Sequence, residues 1–92
     1  MRHAGAQTIG RLEALLARLR AIDGLVERKP GIFYLGSRAF LHFHEDPAGV
    51  FADIRLDGIE FERFLVAEDG FEAFAGRVAL AVAEAFERSP RR

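Results

Sequence analysis

The chain has 92 residues, 50% of them hydrophobic and 29% charged, with a formal net charge of −1, which describes one domain with a thin but adequate core and excludes disorder throughout. It has no cysteine, so disulfides, thiolate metal sites and thiol nucleophiles are excluded together. Arginines and acids alternate apart from Arg28-Lys29 and the tail Arg88, Arg91, Arg92; this lacks the basic face of a nucleic-acid binder, no apolar run reaches the ~20 residues that span a bilayer or opens the chain as a secretion signal, and a cytoplasmic protein with no nucleic-acid or membrane partner is expected.

Residues 1–7 are polar and small and are expected to fray. Thr8 can cap a helix from about Ile9 to Arg20, in which Ile9, Leu12, Leu16 and Leu19 recur at three- and four-residue steps. Arg18 and Arg20 suit its C-terminal dipole, and Asp23-Gly24 stops it. Leu25 to Gly31 reads as a connector ending in the turn signal Pro30-Gly31. Four strands follow: Ile32 to Leu35, Ala39 to Glu45, Val50 to Leu56 and Ile59 to Val66. Gly36-Ser37, Asp46-Pro47-Ala48-Gly49 and Asp57-Gly58 supply the turns between them. Asp69-Gly70 opens a second helix over Phe71 to Arg88, striped by Phe71, Phe74, Val78, Val82 and Phe86, and Ser89-Pro90 ends it, leaving 89–92 frayed. The expected fold class is a single α+β domain of order α-β-β-β-β-α: a four-stranded antiparallel meander with two helices packed on one face.

Tight turns imply a register. Pairing Glu45 with Val50 sets Phe43 against Ala52 and Leu41 against Ile54. Pairing Leu56 with Ile59 across Asp57-Gly58 sets Ile54 against Phe61 and Asp53 against Glu62, and Gly36-Ser37 sets Tyr34 against Ala39 and Ile32 against Leu41. These apolar residues share one face, which the two helices can cover. The opposite face then carries Phe33, Phe40, His42, His44, Phe51, Asp53, Arg55, Glu60, Glu62 and Phe64.

Two features of that outer face bear on function. The row His42, Asp53, Glu62 offers one imidazole and two carboxylates on adjacent strands, a donor set that can hold a divalent metal or transfer a proton, with His44 one row away as a further ligand. The plainer reading of the row is a hydrogen-bonded surface pair. Phe33, Phe40, Phe51 and Phe64, with His44 among them, would form an apolar patch with no obvious cover, and a homodimer closed sheet to sheet is the simplest way to bury it. No glycine-rich phosphate loop and no serine in a nucleophile setting is present.

The stretches Asp23-Gly24-Leu25-Val26-Glu27-Arg28, Phe40-Leu41-His42-Phe43-His44-Glu45-Asp46 and Asp53-Ile54-Arg55-Leu56 resemble small bacterial domains carried under the label "luciferase domain", which show a PGV-x-x-R run followed by an FAHxH…G…L hairpin. The resemblance covers the middle third of the chain and implies no light-emitting chemistry. It matches His42 and His44 to the family's histidines and ends after Leu56, where the stretch Asp57 to Val66 departs from the family pattern. The architecture, with Pro30-Gly31, also resembles YjbR-like proteins. Two functions are therefore expected to compete. One is an interaction or ligand-binding module that homodimerises through the outer face. The other is a small metal-binding protein or enzyme using His42, Asp53 and Glu62.

Overall fold

The computed structural model describes residues 2–88; the expected stop at Ser89-Pro90 and the frayed tail lie outside them. The elements in chain order are β1 (Arg2–His3), α1 (Ala6–Arg11), α2 (Glu13–Arg20), β2 (Leu25–Lys29), β3 (Ile32–Leu35), β4 (Arg38–Asp46), β5 (Gly49–Ile54), β6 (Glu62–Val66) and α3 (Phe71–Arg88), with a 3-10 turn at Glu68–Gly70. The class is α+β, as the pattern of the sequence implies, and the antiparallel path runs β2-β3-β4-β5-β6 with the helices at the chain ends.

The helices cover one face. Leu12, Leu15, Leu16 and Leu19 of the first helical segment and Phe71, Ala75, Val78, Ala81 and Val82 of α3 meet Leu25, Phe33, Leu41, Phe43, Ala52 and Ile54 of the sheet. Helical periodicity and strand alternation thus deliver their apolar residues to the same layer. The first helix is broken at Leu12 (φ −92°, ψ 3°) and starts earlier than expected, at Ala6 behind Gly5. Thr8 lies inside α1 and turns its hydroxyl to Glu45 instead of capping.

Four sheet expectations need correction. Leu25–Lys29 is a strand, not a connector: it pairs with β3, with Leu25 opposite Leu35 and Glu27 opposite Phe33. Its Glu27 lies on the helix side, where it accepts from Arg20 at 2.5 Å and from the Gly31 amide at 2.9 Å. Residues 2 and 3 form a short strand on β4, with Arg2 opposite Glu45 and His3 opposite His44.

The third correction is an irregularity in the β3–β4 ladder. Tyr34 faces Ala39, but Phe33 faces Leu41 and Ile32 faces His42, so Phe40 is the extra residue of a bulge. One extra residue reverses the faces of β3: Phe33 and Phe40 go into the core, 0% and 3% exposed.

The fourth lies in β6. No tight hairpin forms at Asp57-Gly58. The Asp57 carboxylate accepts from the Ile59 and Glu60 amides at 2.8 and 3.1 Å, and Arg55 donates to the Ile59 carbonyl at 2.6 Å. These bonds hold residues 55–61 as a loop, and β6 pairs one residue out of the expected register, with Asp53 opposite Arg63 and Ile54 opposite Glu62. The β4–β5 ladder matches the expected register from Leu41 opposite Ile54 to Glu45 opposite Val50, with His42 opposite Asp53 and Phe43 opposite Ala52, and it ends short of the expected Leu56.

Candidate metal centre

The sheet face away from the helices carries the chemistry. His42 and His44 are two residues apart on β4, so alternation puts both rings on that face. β1 continues the line of β3 along β4 and sets His3 directly opposite His44. The backbone follows through: the Ala4 amide donates to the Phe43 carbonyl at 3.2 Å. The chain has three histidines in all, and one ligand nitrogen of each lies within 4.8 Å of the others. Ring centroids are 4.6 Å apart for His42 and His44, 5.0 Å for His3 and His44, and 5.9 Å for His3 and His42.

His3 is held there from below. Glu45, the next residue along β4, accepts from Arg2 at 2.8 Å, from the Gly5 amide at 3.1 Å and from the Thr8 hydroxyl. The Thr8 hydroxyl, Gly5 amide and Arg2 bonds together lower the Glu45 carboxyl to about 2. One carboxylate thus ties β1, the start of α1 and the end of β4 together.

Asp53 completes the cluster from β5. It is buried, at 7% exposure, and its charge is met by a two-pronged bond from Arg63, Nε to Oδ1 at 2.8 Å and Nη2 to Oδ2 at 2.9 Å. The Arg63 guanidinium holds the Asp53 carboxyl below the usual range in spite of burial. His44 Nε2 lies 3.1 Å from Asp53 Oδ2 and 2.7 Å from His42 Nδ1. A ring nitrogen carries at most one proton, so His44 Nε2 is either a donor toward the carboxylate or an acceptor from His42. A cation at that junction takes a lone pair from each ring and leaves the carboxylate as a neighbouring oxygen donor.

The surroundings favour neutral imidazole. Phe61 sets its ring against His42 at 4.7 Å, and Arg55 stacks on Phe61 at 4.1 Å. Burial lowers the pKa of His42, and the neighbouring His44 lowers it further; Asp53 opposes them, and His3 and Arg55 add to the lowering. At neutral pH His42 is therefore a lone-pair donor, the form that binds metal. Tetrahedral bonds of the usual zinc–nitrogen length need ligand nitrogens ~3.3 Å apart, within reach of rotamer changes in rings already this close.

The expected site residues divide accordingly. His42, Asp53 and His44 come together. Glu62 does not: the shift in β6 puts it opposite Ile54, on the helix side, and exposed. His3, absent from the expected set because its segment reads as frayed, takes its place. Of the rings expected in an interface, Phe33 and Phe40 are core residues, and Phe64 packs on Phe74 of α3 with the Arg77 guanidinium 4.8 Å over its ring. Phe51 alone of the four lies on the outer face, between His44 and Leu65. The His42-x-His44 spacing was the readable signal for the cluster; nothing local in the sequence announces that residue 3 joins it. No family model, characterised protein or solved structure is found to match the chain.

Proposed function

We propose that this domain binds a divalent transition metal through His3, His42 and His44, with Asp53 as a fourth donor or as the hydrogen-bond partner that orients His44. One observation carries the reading: the three histidines of the chain, two of them half-buried, converge within 4.8 Å. Imidazole with carboxylate and without thiolate suits zinc, nickel, copper or iron better than magnesium or calcium. The fold already has a sixteen-residue apolar core, so the cation has no need to hold the chain together. Three imidazoles on the sheet face away from the helices leave a fourth position for Asp53 or a solvent ligand, the arrangement of sites that exchange a ligand.

Zinc titration by calorimetry tests this. One zinc per chain is expected, and His3→Ala, His42→Ala and His44→Ala should each weaken binding by at least about tenfold. Equal affinity in wild type and all three variants would remove the proposal.

The outer face also supports a second reading. Phe61, against His42, and Leu65, across Phe51 from His44, expose apolar surface beside the cluster, and a second copy closing over that face would bury it. Its contact would be Phe51, Phe61 and Leu65 in place of the four expected rings. Light scattering at high concentration, with and without zinc, tests it: a dimer that Leu65→Glu dissolves supports the reading, and a monomer in both conditions contradicts it.

A further inference from the structure

On the helix side, the β3–β4 turn, the 55–61 loop and the last turn of α3 line a cavity of about 260 Å³; of its residues, Arg55 also stacks on Phe61 beside His42. Its floor is apolar, with Phe40, Leu35 and Phe86, and its rim carries Arg38, Arg55 and Arg88. We propose that this pocket binds a small organic anion: a carboxylate or phosphate head on an apolar body the size of one aromatic ring or a short acyl chain.

The charge argument comes first. Arg2, Arg20 and Arg63 are each held by a carboxylate. The three rim arginines are anchored instead on main chain or left at the mouth. Arg55 donates to the Ala39 carbonyl at 2.8 Å and the Ile59 carbonyl at 2.6 Å, and Arg38 donates to the Gly58 carbonyl at 3.3 Å. Arg88 lies across Gly58, where a Cβ would come within 2.7 Å of its Nη2. The nearby Asp57 carboxylate accepts from the Ile59 and Glu60 amides and its charge also acts on Arg88. Among the described residues, no carboxylate lines the cavity. The C-terminal end of α3 adds a partial charge of about −0.5 and Asp57 one full negative charge beside Arg88, against three full positive charges. Carbonyl anchoring fixes Arg55 without neutralising it, which is how a receptor for an anion is preorganised.

The floor decides what kind of anion. Phe40 is 3% exposed and forms the pocket's base because the β4 bulge turns it inward. A bare inorganic anion would leave that apolar floor wet, and a neutral apolar ligand would leave the guanidiniums unmatched. An amphipathic anion satisfies both. The volume lies below the roughly 300 Å³ at which sites for drug-sized ligands begin, hence the single ring or short chain.

Amide-resolved NMR titration of the full chain tests this, using benzoate and phenyl phosphate as probes with benzyl alcohol and inorganic phosphate as controls. Either probe should shift the Ala39, Arg55 and Gly58 amides saturably, with a Kd of about 1 mM or tighter. Both controls should bind at least about tenfold more weakly. Arg38→Gln and Arg88→Gln, both at exposed positions, should each weaken the probes about threefold or more. Ala85→Leu, which fills the floor and keeps every charge, should do the same. No saturable shift up to about 20 mM, benzyl alcohol binding as well as benzoate, or unchanged binding in the Arg38→Gln/Arg88→Gln double variant would each overturn the proposal.

Discussion

Phe33 is fully buried, opposite Leu41 and within the layer that the helices cover. Phe33→Ala should cost about 3–5 kcal/mol, the range for emptying a core phenylalanine site, and leave the state of association unchanged. Phe51→Ala, on the outer face, should cost less than about 1 kcal/mol. Urea unfolding of the two variants checks this, and similar costs would contradict the assignment of faces. The alternation of polar and apolar residues in β4 and β5 made His42, His44 and Asp53 legible as neighbours. It could not reveal Phe33, whose direction depends on a one-residue bulge at Phe40 that no glycine or proline marks. Glu62 was lost for a similar reason: an aspartate–glycine pair suits a tight hairpin, but the Asp57 carboxylate competes for the Ile59 and Glu60 amides and opens the turn.

The helical stretches of α1 with α2 and of α3, and four of the strands, were readable from their periods, while β1, β2 and the break at Leu12 were not. β2 reads Leu-Val-Glu-Arg-Lys, and β1 has two residues; each is held by tertiary partners instead of propensity. For β2 the partner is α2, through Glu27. Burial works against its ionisation, but the Arg20 hydrogen bond and the Gly31 amide outweigh it and bring its pKa below the ordinary 4.5. A carboxyl lowered in the folded state stabilises above its unfolded pKa and loses that contribution as pH falls through the folded one. Stability should therefore fall below about pH 4.5, and Glu27→Gln should flatten that limb. An unchanged acid limb in Glu27→Gln would show that the bond contributes nothing. For β1 the partner is Glu45. Glu45→Ala should release Arg2, Gly5 and Thr8, let His3 leave the cluster and weaken zinc binding about tenfold, the effect typical of losing a residue that positions a ligand. Glu45→Gln, which keeps an acceptor oxygen, should recover part of the loss. Wild-type zinc affinity in Glu45→Ala would show that His3 needs no such anchor.

The whole molecule has two unlike faces: a closed one, where leucines and phenylalanines of helices and sheet fill the core, and an open one, where histidines of two strands meet a buried aspartate. No helix of the described residues is long and apolar enough to cross a membrane. Because the three clustered histidines come from β1 and β4, a cation bound to them should tie the N-terminal segment to the middle of the sheet. Zinc at 100 times its Kd should then raise stability by about 2.7 kcal/mol, read as an upward shift of the unfolding midpoint that His3→Ala reduces. X-ray absorption at the zinc edge of the loaded protein tests the central claim most directly. Three imidazole nitrogens at about 2.0 Å, with one or two oxygens completing the shell, are the predicted result; a shell of oxygens with no imidazole scattering would contradict it.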